Sequence, residues 1–127
     1  MYFILLTIQM LLMNWYIAKI VMRITSENTD HTPQFDEQLR LIQASGTAEA
    51  FMKARIIGIA EEDAYLNSHR NEVRWEFINV ADIVPVKTFS DGAEIYSHVH
   101  ETNEAPAYIH DVHEKAMFIR KSNQALN

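Results

Sequence analysis

The chain has no cysteine, and its 127 residues include only three glycines and three prolines. Without cysteine there is no disulfide, no thiolate nucleophile and no Cys-ligated zinc. The redox compartment stays open, since a cysteine-free protein tolerates either. Gly46, Gly58 and Gly92 lie far apart, so no glycine-rich loop can cradle a phosphate or a dinucleotide. Basic residues are also few: 11 Lys and Arg stand against 17 Asp and Glu, a net charge of −6. That balance argues against a nucleic-acid partner, which requires clustered cations to displace counterions. No nucleophile-elbow motif is present, and no basic amphipathic helix suggests a membrane surface.

What the chain does have is a hydrophobic fraction of 48% and a charged fraction of 22%. These values fit one globular domain of ordinary size, with a core that needs no metal or disulfide. The balance fits a cytoplasmic protein. The first thirteen residues are nearly all apolar. They lack the basic start and small-residue cleavage site of a signal peptide. A membrane span of roughly 20 apolar residues would have to consume Trp15-Tyr16. Three readings follow, in order: a start at Met13 with the head supernumerary, an added strand or short helix, and a membrane anchor. The expected boundaries are a head at 1–13, a single α+β domain at 14–122 and a tail at 123–127.

Trp15 to Ile24 alternates, with Tyr16, Ala18, Ile20, Met22 and Ile24 on the inward face. Thr25 to Thr32 reads as a polar loop, and Gln34 to Ala44 as an antiparallel neighbour strand. Ser45-Gly46-Thr47 caps a helix, with Glu49 in its first turn and Ala50, Phe51, Ala54 and Ile57 as its stripe. Glu61-Glu62-Asp63 and Asn67 to Glu72 read as solvated. Further strands are expected at Val73 to Asn79, at Asp82 to Lys87 (with Pro85 restricting it to an edge or a bulge) and at Ala93 to Glu101, after an Asp91-Gly92 turn. A last helix begins near Asn103, with Pro106 in its first turn. The order β-β-α-β-β-β-α predicts two layers: an antiparallel sheet carrying both helices on one face.

Three motifs carry a likeness: Trp15-Tyr16-x-Ala18-Lys19, Gln34-Phe35-Asp36-Glu37-Gln38 and Trp75-x-Phe77. Through them the chain resembles a family of small bacterial proteins known only as domain of unknown function 4288, from about Trp15 to the last helix. No established activity travels with the resemblance.

The candidate binding residues are Trp15, Tyr16, Gln34, Asp36, Glu37, Gln38, Glu62, Trp75 and Tyr96. Asp36 and Glu37 are adjacent carboxylates on a strand, where acids are depleted. They point to opposite faces and cannot share a substrate. Glu37 falls on the face of Phe35, Leu39 and Leu41, so burial with a cationic partner, Lys19 or Arg23, is expected. Glu62 or Asp63 could assist either acid. Tyr16 and Trp75 lie on inward faces, Trp15 and Tyr96 on outward ones. The row Trp15, Ile17 and Val21 makes the outer face of the first strand apolar as well, which suggests dimerisation through the sheet. His98, His100, His110 and His113 invite a metal site, but the layer argument separates the first pair from the second, and no metal or cofactor is expected. The favoured function is a non-catalytic protein-binding or accessory module, a homodimer or an immunity-like neutraliser of a basic partner. The alternative is a small-molecule enzyme with Glu37 in a pocket lined by Tyr16 and Trp75.

Overall fold

A computed structural model describes residues 3–4, 13–27 and 32–126. The readings of the apolar head and of the centre of the 25–32 loop fall largely outside them. The described residues form two compact units that divide between Tyr96 and Ser97. Among them, no helix is long and apolar enough to cross a membrane.

The first unit is α+β. It contains β1 (Asn14–Ser26), β2 (Gln34–Ala44), α1 (Thr47–Ala60), β3 (Asp63–Leu66) and β4 (Glu72–Val86). The strands form one antiparallel sheet in the order β2-β1-β4-β3. β1 is central because its alternation is the most regular, and one face of it is closed completely. Ala18, Ile20 and Met22 have no exposed surface, and Tyr16 is buried beside them. Each large aliphatic side chain buried this way contributes about 1.5–3 kcal/mol.

α1 packs on that inner face through a narrow stripe of small residues, Ala50, Ala54 and Gly58. Small side chains let a helix backbone approach a sheet closely. At Gly58 the approach leaves no room at all. A Cβ there would meet the Phe77 ring atoms Cδ1 and Cε1 well inside 3.0 Å, and Ile20 Cγ2 at 3.2 Å. Gly46 is the extended N-cap. Just before it, the Ser45 N–H donates to Glu49 Oε2 at 3.3 Å, and the Ser45 hydroxyl donates to the same oxygen. These bonds, the hydroxyl's first, hold the Glu49 carboxyl below its ordinary value.

β4 departs most from expectation. The segments read as two strands, Val73 to Asn79 and Asp82 to Lys87, are one continuous strand of 15 residues. Its pairing with β1 slips twice, between Lys19 and Ile20 and between Val21 and Met22. Each slip leaves one β4 residue without an opposite number, Ala81 and Ile78. The two bulges put Trp75, Phe77, Val80 and Ile83 all against the core, although their spacing breaks a strict period of two. Pro85 is tolerated because β3 pairs only with Glu72 to Trp75, leaving β4 a free edge at that point.

β3 is a strand where solvated acids and loop were expected. It is short and exposed along its length. Asn67 organises the turn that follows, its side chain accepting from the N–H of His69 and of Asn71 at 2.9 and 3.0 Å. The strand expected over Ala93 to Glu101 does not form. Gly92 makes the predicted turn with φ of +81°, closed by Ala93 N–H donating to Ser90 O at 3.0 Å, but the chain beyond it pairs with no strand among the described residues. The second unit holds α2 (Ala105–Leu126).

Candidate functional site

The faces of β2 are reversed from the expectation. Its register places Ile42 opposite Tyr16, Arg40 opposite Ala18, Gln38 opposite Ile20 and Asp36 opposite Met22. The inner face of β2 is therefore apolar only at its C-terminal end. Asp36, Gln38 and Arg40 lie on the helix side, half-buried. They satisfy one another in a string. Gln38 Nε2 donates to Asp36 Oδ2 at 2.6 Å. Arg40 donates to Gln38 Oε1 at 2.9 and 3.1 Å, and again to Glu61 Oε1 at 2.8 Å beyond the end of α1.

Phe35, Glu37, Leu39 and Leu41 consequently face outward. Glu37 is not buried: its side chain is 61% exposed, and it meets Lys19 Nζ at 3.5 Å, with Lys19 21% exposed. The expected partner is right and the expected burial is not. Glu37 also lies on the opposite face from Tyr16 and Trp75, so the pocket proposed for an enzyme is not formed by these residues.

The outer face is apolar in patches. Phe35, Leu39 and Leu41 are 54%, 52% and 53% exposed. The β1 row behaves differently from its expectation. Ile17 is buried, and Trp15, 40% exposed, meets the Phe89 ring edge-on at 6.3 Å. Loop residue Phe89 thus partly shelters the tryptophan, and the uncovered apolar surface moves to β2. Arg23 lies over the Phe35 ring at 6.0 Å. β2 is also an edge strand: it pairs with β1 along all eleven residues, without a bulge, and with nothing on its other side among the described residues. Beside that free edge runs a shallow groove of about 310 Å³, lined by Leu41, Gln43, Lys53 and Ile56 among others.

The remaining candidates disperse. Gln34 is exposed at the start of β2, and Tyr16 is core. Glu62 and Trp75 share an open depression of about 520 Å³ at the β3–β4 end. There Glu62 Oε2 accepts the Phe77 N–H at 3.2 Å, satisfying a backbone donor beyond the reach of β3. Tyr96 is half-buried at the close of the first unit. The sequence groups Asp36 with Glu61 to Asp63 as an acidic edge and puts Arg40 on the face of Asp36 and Gln38, but it does not show that Arg40 joins Gln38 to Glu61 and completes the polar string. The available signal was parity: Ile42 and Ala44 share the face of Asp36, Gln38 and Arg40.

Among the described residues, no three His, Asp or Glu side chains converge to hold a metal ion. His100 stacks on Tyr108, with ring centroids 5.1 Å apart, and His110 Nε2 lies 3.0 Å from Glu114 Oε1.

Neither curated proteins nor solved structures supply a match. The family model for the domain of unknown function DUF4288 matches residues 15–97, the sheet from the second residue of β1 onward together with α1 but not α2, and the chain belongs to that family.

Proposed function

We propose that the protein is a non-catalytic protein-binding module that works as a homodimer, with the β2 side of the sheet as its contact surface. One observation carries this reading: three large apolar side chains, Phe35, Leu39 and Leu41, stand half exposed on the outer face of an edge strand, with the Glu37–Lys19 pair between the first and second. Exposed apolar surface rimmed by charge in this way marks an interaction site. A long, flat, apolar edge is itself a template for pairing. The acidic run Glu61 to Asp63 gives an immunity-like neutraliser less support. Glu61 is already paired with Arg40, and Glu62 accepts from the β4 backbone.

The test is sedimentation equilibrium of the full chain across a wide concentration range. A dimer is expected. A monomer at every concentration refutes the homodimer.

A further inference from the structure

The edge of β2 that no described residue covers is complementary to itself when centred on Gln38. We infer that two copies join by antiparallel pairing of β2 with the partner's β2 about a two-fold axis at Gln38, making one continuous eight-stranded sheet. This rests on the homodimer reading and specifies how the copies meet.

Antiparallel pairing of identical strands requires a two-fold perpendicular to the sheet, so inner residues oppose inner residues and outer oppose outer. The possible centres are then single residues of β2. Centring on Glu37 or on Arg40 sets a like charge against itself, which is destabilising. Centring on Leu39 sets Asp36 against the partner's Ile42, and Glu37 against the partner's Leu41. Centring on Gln38 sets Asp36 against the partner's Arg40, and Arg40 against the partner's Asp36, both pairs on the inner face. On the outer face it sets Phe35 against the partner's Leu41, Leu41 against the partner's Phe35, and Glu37 against the partner's Leu39; what separates it from the Leu39 register is that Asp36 and Arg40 meet each other instead of Ile42 and Gln38. Two ion pairs and two aromatic–aliphatic pairs form at once, the cross-strand pairs that stabilise sheets.

From Gln34 to Ala44 the edge has no lysine, no proline and no bulge. It does carry inward-pointing charges, Asp36 and Arg40, a device that normally blunts an edge strand, but in the Gln38 register these two charges pair with each other across the seam. Arg40 is already held by its bonds to Gln38 and Glu61, and its guanidinium, with five donors, can donate to a further carboxylate.

Charge reversal tests the register. Asp36→Arg and Arg40→Asp should each weaken dimerisation by about tenfold or more, because each sets like charges together twice. The double variant Asp36→Arg/Arg40→Asp exchanges the signs and should recover most of the wild-type affinity. Single variants as tight as wild type, or a double variant no tighter than either single, overturn the register. Since the chain has no cysteine, a second measurement keeps the test open if a charge variant fails to fold. Residues directly opposite across antiparallel strands lie within disulfide reach. Gln38→Cys should therefore cross-link to a covalent dimer under mild oxidation, while Phe35→Cys, which faces Leu41 rather than itself, should not. Cross-linking by Phe35→Cys and not by Gln38→Cys overturns the proposal. If wild type is dimeric and these results fail, only the register falls. If wild type is monomeric, the homodimer falls with it.

Discussion

Gly58→Ala isolates a close helix–sheet contact. In an exposed helix interior this change stabilises by up to about 1 kcal/mol, because alanine loses less backbone entropy than glycine on folding. Gly58 is buried, and the added methyl would collide with two atoms of the Phe77 ring and press on Ile20 Cγ2. Phe77 is packed at the margin of the core, and Ile20 has no exposed surface, so neither yields freely. Overpacking of this kind costs about 1–3 kcal/mol. The two effects oppose each other, and the expected net result is a loss of roughly 0–2 kcal/mol. Urea denaturation measures it as a lower midpoint at constant slope. Phe77→Leu supplies the partner for a double-mutant cycle. With the ring removed, Gly58→Ala should turn neutral or stabilising, and the difference is the coupling energy. A wild-type background in which Gly58→Ala stabilises by the full helix-propensity gain would refute the reasoning, since it would mean the Phe77 ring swings aside at no cost.

Ile20→Ala should cost about 2–5 kcal/mol in the same denaturation assay, because its side chain is fully enclosed and the cavity can collapse only in part. Glu37→Ala and Glu37→Gln should each change stability by less than about 1 kcal/mol, as for a solvated ion pair; a loss several times larger would restore a buried role. Glu49 has a lowered pKa in the folded state, so its contribution is complete above the ordinary glutamate value of 4.5 and is lost as pH falls through the lowered value. Thermal melts across the acid range should accordingly show a shallower decline for Glu49→Gln than for wild type, and superimposable pH profiles would count against the Ser45–Glu49 contact.

Much of the fold was legible from residue pattern. β1 reads directly because every second residue from Tyr16 to Ile24 is apolar, and the inner face is closed over Tyr16, Ala18, Ile20 and Met22. α1 reads from its Ser45-Gly46-Thr47 start and from the stripe Ala50, Phe51, Ala54 and Ile57, of which Ala50 and Ala54 are fully buried, Phe51 and Ile57 only partly, and Gly58 joins them. β4 was split in reading because Ile78 and Ala81 interrupt its alternation, and a bulge leaves in the sequence the same mark as a loop. β3 is four residues long with every side chain exposed, so no apolar period existed to announce it. Ala93 to Glu101 has strand-like alternation but no partner, and pairing rather than propensity decides a strand. The β2 faces were misjudged because Phe35, Leu39 and Leu41 outnumber Ile42 and Ala44. Majority hydrophobicity marks the core face only when the other face is solvated, and at a contact surface it need not be.

The two bulges of β4 constrain how the length of this strand can change. Ile78 and Ala81 are the residues without an opposite number, so removing either one leaves every other β1–β4 pair in place and keeps Trp75, Phe77, Val80 and Ile83 on the core face. Removing both gives a strand of unbroken alternation, two residues shorter and still matched to β1. Each bulge is thus a point where β4 can change length by one residue without turning its core side chains outward, and relatives of this chain that differ in β4 length should differ at these two positions.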